Sequence, residues 1–202
     1  MRTNKRTFPA VEVAPANVLA PLDLDEIFGR TAPVEVDLGC GDGTFLAALA
    51  EQDTERNFLG VERLPGRIRG ACRKIGDQLL PNARVLRSGI LEALEQLLPP
   101  RSVEICYLLF PDPWPKRRHH HRRVVTEEFL HAVAEVLVPG GCLRIATDHA
   151  EYFAEMQRLL ARAQALEICP QSEMEPVFCS TFESRFRERG AKIYRVVLQR
   201  RK

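Results

Sequence analysis

Between Val34 and Leu198, short apolar runs rich in β-branched residues alternate with longer stretches of helical spacing, and this alternation constrains the fold more than any single motif. The short runs are Val34 to Leu38, Asn57 to Val61, Ala83 to Leu86, Val103 to Phe110, Gly141 to Ala146 and Ile193 to Leu198. The helical stretches are Thr44 to Ala50, Arg67 to Ile75, Leu91 to Leu98, Thr126 to Leu137 and Ala150 to Leu166. Strands joined through helical crossovers pair in parallel, so the pattern predicts an α/β fold with helices on both faces of a sheet. Pro99-Pro100 stops a helix before the fourth strand, and Pro139-Gly140-Gly141 is expected to turn a helix into the fifth. The alternation fails only near the end. There Leu166 to Cys169 and Lys192 to Leu198 have no helical pattern between them, which predicts a mostly parallel sheet closed by one antiparallel C-terminal strand. The first 30 residues, with prolines at 9, 15 and 21, read as an N-terminal arm, leaving 31–202 as one domain.

Charge is distributed unevenly. Lys116, Arg117, Arg118, Arg122 and Arg123 face one acid, Asp112, within Pro111 to Val125, and eight cations face Glu183 and Glu188 beyond Ser180. Residues 31–100 carry ten acids and eight bases. Clusters at 116–123 and 185–202 on a near-neutral body suit a polyanionic partner, or else are a solvated charged surface. No apolar run approaches the roughly 18 residues of a membrane helix. Glu12 and the prolines interrupt the weakly apolar stretch after Arg2, Lys5 and Arg6, against a signal peptide. The six cysteines never show Cys-x-x-Cys spacing and mostly sit in apolar runs. They read as buried thiols of a reducing compartment, so a cytoplasmic protein is expected.

The first predicted strand runs into Asp37-Leu38-Gly39-Cys40-Gly41-Asp42-Gly43 and then directly into helix. Glycines at such a turn let a ligand approach the backbone and the helix N-terminus. A dinucleotide fingerprint needs glycine where Thr44 stands. Asp37, two residues before the first glycine, would repel a pyrophosphate but suits a ligand with positive charge nearby. The sulfonium and ammonium of S-adenosylmethionine meet that requirement. Glu62 ends the second strand, 19 residues beyond Gly43, where it can accept from two ribose hydroxyls. Alone the glycines would also suit a tight turn; with both acids they indicate a nucleoside-type cofactor.

The fourth strand delivers Pro111-Asp112-Pro113-Trp114-Pro115-Lys116-Arg117-Arg118 and then His119-His120-His121-Arg122-Arg123. Alternating prolines stiffen the loop and hold Asp112 and the chain's single tryptophan in fixed relation. A carboxylate can take a purine edge while a ring stacks on its face, and the cations that follow can take phosphates. A structural turn around a core tryptophan would not need five cations. Adjacent histidines point in different directions and no acid or cysteine recurs at ligand spacing, so no metal is predicted.

Phe110 to Arg123 resembles the signature of the tRNA (guanine-N7)-methyltransferases of the bacterial TrmB type. The similarity extends to Val36 to Gly43, Gly60-Val61-Glu62 and Ala146-Thr147-Asp148. It continues through Ser180-Thr181-Phe182-Glu183, Arg185-Phe186 and Ile193-Tyr194-Arg195, so it runs from about Val34 to the C-terminus. The resemblance implies a Rossmann-like class I methyltransferase that transfers a methyl group from S-adenosylmethionine to guanosine N7 in tRNA, in the variable loop. It implies Asp112 as catalytic residue and Asp37, Gly39, Gly41, Glu62 and Asp112 as the cofactor site. Lys116, Asp148, Ser180, Thr181, Phe182 and Glu183 would hold tRNA. Members carry an acid or amide after the third strand for the adenine; here Gly89 stands there, leaving Ser88 or backbone groups. Ser180 replaces the commoner threonine and keeps the hydroxyl. A methyltransferase for a small molecule or protein, and a non-catalytic RNA-binding module, are the competing readings.

Overall fold

The computed structural model describes residues 10–15, 17, 20–169 and 190–201. Its strands are β1 (Glu12–Val13), β2 (Val34–Leu38), β3 (Asn57–Glu62), β4 (Ala83–Arg87), β5 (Val103–Leu109), β6 (Leu137–Thr147), β7 (Leu166–Ile168) and β8 (Tyr194–Arg200). They form one sheet in the order β1-β4-β3-β2-β5-β6-β8-β7. Neighbours from β1 to β6 are parallel, and β8 runs antiparallel to both β6 and β7. The helices are α1 (Leu24–Phe28), α2 (Thr44–Gln52), α3 (Pro65–Asp77), α4 (Ile90–Glu92), α5 (Glu127–Val136) and α6 (Ala150–Leu160). No described helix is long and apolar enough to cross a membrane.

From the central strand β2 the chain builds outward through β3 and β4, which β1 flanks at the edge, then returns to place β5 on the other side of β2. This reversal opens a crevice beyond the carboxyl ends of β2 and β5, where ligands bind in open α/β sheets. Phe45, Leu46, Ile68, Ala71 and Ile75 of α2 and α3 cover one face of the sheet. Phe129, Val133, Tyr152 and Met156 of α5 and α6 lie in the core on the other. Every residue of β2 and β3 is consequently buried, which is why these strands read as continuous runs. Of the two acids in β2, Glu35 accepts from the Tyr107 hydroxyl at 2.8 Å and lies 3.4 Å from the Arg56 guanidinium.

Four segments differ from the sequence pattern. Strand β6 starts at Leu137, directly after α5, and holds Pro139 and Gly140 inside it as a bulge rather than a turn. The register jumps there from Val103↔Leu137 to Ile105↔Cys142, with Gly140 at φ 80°. Helix α6 stops at Leu160 instead of Leu166, because Leu166 is drawn into the sheet opposite Arg200. Leu91 to Leu98 forms one turn of α4 and then a π-helical turn, Ala93–Leu97. Residues expected as an arm contribute edge strand β1 and helix α1, which buries Leu24 and Phe28 in the core. The buried Arg84 guanidinium holds α1, lying 5.5 Å over the Phe28 ring and donating to the Ile27 carbonyl at 3.1 Å.

Candidate active site

Past Leu38 the chain turns through Gly39, Gly41 and Gly43, at φ 86°, 58° and 73°, before α2 begins. The Gly39 and Cys40 N–H groups donate to the Val61 carbonyl at 2.8 and 3.0 Å, tying the turn to β3. Close packing also excludes side chains. A Cβ at Gly43 would stand 2.7 Å from Ala71 Cβ of α3, and one at Gly60 would stand 2.6 Å from Cys40 Sγ. Asp42 accepts from the Thr44 N–H at 3.2 Å and from Lys74 Nζ at 3.1 Å, fastening the turn to α2 and α3.

Two acids end adjacent strands here. Glu62 is buried, and its Oε1 accepts from the Arg63 and Leu64 N–H groups at 2.7 and 2.9 Å. Its Oε2 lies 3.7 Å from the Arg67 guanidinium. Asp37 is also buried, and its pKa is pushed up to about 7, first by burial and then by the neighbouring Glu62 charge. A bound cation relieves both effects, so this pair fits the sulfonium and ammonium of S-adenosylmethionine.

Opposite them, Phe110 and Trp114 flank Pro111-Asp112-Pro113 with φ of 50° and 43°, left-handed values rarely adopted by residues other than glycine. The Phe110 N–H donates to the Ala146 carbonyl at 2.7 Å, anchoring the loop to β6. Asp112 is exposed at the cleft wall. Trp114 is half-buried, with the Arg122 guanidinium 4.9 Å over its ring and His119 at 5.9 Å. One cleft of about 820 Å³ is lined by Asp37, Gly39, Gly41, Glu62, Asp112 and Trp114, so the whole expected cofactor set converges.

Residues 31–196 match the family described as putative methyltransferase. A tRNA (guanine-N(7)-)-methyltransferase from Halorhodospira halophila is 42% identical over 84% of this chain and 74% of its own. One from Leifsonia xyli is 41% identical over 85% and 76%. The chain belongs to the tRNA (guanine-N7)-methyltransferase family. The 16S rRNA methyltransferase KamB superimposes with a TM-score of 0.63 at 15% identity, over 88% of this chain and 92% of that one. A SAM-dependent methyltransferase from Aquifex aeolicus gives 0.58 at 17%, over 86% of each. At those identities the likeness concerns the fold alone: an α/β chain built on the same mostly parallel sheet architecture as those methyltransferases.

The other residues expected of this methyltransferase are placed unevenly. Lys116 is exposed at the end of the proline-rich segment, and Asp148 is half-buried beyond β6, one strand from the Asp112 loop. Ser180, Thr181, Phe182 and Glu183 lie outside the described residues, as do Arg185, Arg187 and Arg189. Arg123 requires a correction. Counted from sequence with the phosphate-facing cations, its side chain is 1% exposed and paired with Glu155, so it cannot meet a phosphate. In the C-terminal cluster, Arg200 donates to the Leu137 and Glu135 carbonyls, and Arg201 lies 3.9 Å from Glu167.

Two features escaped the sequence reading. Glu92 reaches back so that its Oε2 accepts from Ser88 Oγ at 2.8 Å and the Gly89 N–H at 3.2 Å. These bonds, the Ser88 one foremost, hold its carboxyl below the usual range. A carboxylate therefore lines the cleft beside Gly89 although none stands at position 89. The Gly89-x-x-Glu92 capping spacing was the available signal. Exposed Arg63, Arg67, Arg69 and Arg73 also cluster at and along α3, and counting charge over 31–100 as a block concealed them.

Proposed function

We propose that this protein transfers a methyl group from S-adenosylmethionine to N7 of a guanosine in the variable loop of tRNA, acting through Asp112. The observation that carries the reading is one cleft holding two strand-end acids on one wall and the rigid Asp112-Pro113-Trp114 turn on the other. S-adenosylmethionine supplies the electrophilic methyl group. Asp37 takes its positive end, and Glu62 accepts from the ribose hydroxyls with the oxygen left over from the Arg63 and Leu64 amides. Ser88, Gly89 and Glu92 stand where the adenine edge is read.

Guanine N7 carries a free lone pair at neutral pH, so the protein needs no general base. Its task is to align the nucleophile with the methyl group, which is a matter of positioning. Methylation leaves the purine cationic, and the Asp112 carboxylate at the ring edge stabilises charge that grows in the transition state. Trp114 offers a face for stacking. N7 faces the deep, narrow major groove of an A-form helix, which favours an accessible loop position over a paired one. Lys116, Asp148 and Ser180 to Glu183 hold the RNA around the target. Incubation of unmodified tRNA with the protein and methyl-labelled S-adenosylmethionine, followed by mass spectrometry of the nucleosides and of mapped nuclease fragments, is expected to yield 7-methylguanosine in that loop. Label in another nucleoside, or in no RNA, refutes the proposal.

A further inference from the structure

Arg123 sits at the end of the basic run, yet its side chain points inward. Its Nε donates to the Pro113 carbonyl at 2.8 Å, joining positions ten residues apart, and its Nη1 pairs with Glu155 of α6. The guanidinium plane lies 4.8 Å over the ring of Tyr152, whose hydroxyl accepts from the Val125 N–H at 3.2 Å. Pro113 is the residue between Asp112 and Trp114. An arginine that is nearly unexposed, ion-paired, stacked and bonded to that carbonyl closes the base of a surface loop whose backbone is strained at Phe110 and Trp114.

We propose that Arg123 is a positioning residue for methyl transfer: it locks the Asp112-Pro113-Trp114 turn onto α6 and so sets where Asp112 and Trp114 meet the target base. Through α6, which begins just beyond Asp148, the same contact keeps Asp112 and Asp148 in fixed relation. The proposal rests on the methyltransferase reading above. It separates Arg123 from Arg122, its exposed neighbour, in kind and not merely in degree.

Lysine tests this sharply. Arg123→Lys keeps a cation for any phosphate but lacks the planar fork that reaches Pro113, Glu155 and the Tyr152 face together. Expected for the full chain with tRNA is a fall in kcat of about ten- to hundredfold, the scale for a displaced catalytic group. The KM for tRNA and the salt dependence of binding stay as in the wild type. Because Trp114 is the chain's single tryptophan, its emission reports the loop without any substrate. That emission is expected to shift in Arg123→Lys while affinity for S-adenosylhomocysteine is retained. Glu155→Gln, which keeps an acceptor oxygen on a partly exposed residue, should retain more turnover than Glu155→Ala, and this pair carries the test if arginine variants fold poorly. Wild-type kcat with unchanged emission in Arg123→Lys overturns the proposal, as does a loss confined to tRNA affinity with a shallower salt dependence. Should the wild-type protein methylate no tRNA, the functional reading fails, and the Trp114 emission still decides the role of Arg123.

Discussion

The two walls of the cleft are held by different kinds of force. On the wall proposed to hold the cofactor, Asp37 and Glu62 stand at the ends of central parallel strands, and Glu62 is bonded by the amides of its own next two residues. On the loop wall, the turn around Asp112 depends on side chains from far along the chain, with Arg123 and Glu155 separated by 32 positions. A site made by sheet ends and local amides comes with the fold; one made by a distant arginine is tunable by single substitutions. The largest effect should therefore appear on the loop wall. Asp112→Ala is expected to lower kcat about 10²–10³-fold, the scale for removing one preorganised transition-state contact. Affinity for S-adenosylhomocysteine, measured by calorimetry, should change by a few fold at most. Wild-type turnover in this variant would break the comparison outright.

The cofactor wall answers to a different probe. Glu62→Ala removes a charged acceptor and should weaken S-adenosylhomocysteine binding by about 1.5–3 kcal/mol, roughly ten- to over a hundredfold. Calorimetric titration showing unchanged affinity would leave Glu62 as a local backbone cap and nothing more.

The same division governs what could be read before the fold was known. That Asp37, Gly39, Gly41 and Glu62 meet at one cleft is legible because a strand end, a glycine turn and an acid at a fixed distance are local patterns. The parallel sheet was legible because buried strands leave continuous apolar runs. Nothing local distinguishes Arg123 from Arg122 in the sequence; only the fold brings Glu155 and the Tyr152 ring to one of them. Helix α1 was hidden for a related reason: five residues carry too little periodicity to show, and their burial depends on Arg84 in a strand more than fifty residues away. Pro139-Gly140 reads as a turn in sequence because a bulge and a turn use the same residues.

Ionisation sharpens the contrast further. Burial and the Glu62 charge favour the neutral form of Asp37, moving its pKa from 3.8 to about 7 in the ligand-free fold. Its contribution to stability is fully present below pH 3.8 and is lost as pH rises through about 7. Cofactor binding runs the opposite way, since a cation favours the carboxylate and below pH 7 its binding must expel the proton. Affinity for S-adenosylmethionine should thus fall about tenfold between pH 8 and pH 6 in the wild type. In Asp37→Asn that dependence should vanish, at a lower affinity throughout. A wild-type affinity that is flat over this range would mean Asp37 is already ionised.

The smallest expected effect divides the basic run itself. Lys116, Arg117, Arg118 and Arg122 are exposed, whereas Arg123 is consumed by the fold. Each cation that neutralises an RNA phosphate releases counterions and adds about −0.7 to −0.9 to the slope of log affinity against log salt. Arg122→Ala should therefore make the slope for tRNA shallower by about that amount, with a modest rise in KM. Arg123→Ala should leave it unchanged, despite carrying the same formal charge in the adjacent position. Affinity for the cofactor should stay level in Arg122→Ala, because Asp37 and Glu62 do not depend on the loop. Binding measured over a series of salt concentrations separates the two arginines. Equal changes of slope would mean that Arg123 leaves Glu155 to meet the RNA, and that the loop wall is remade when substrate arrives.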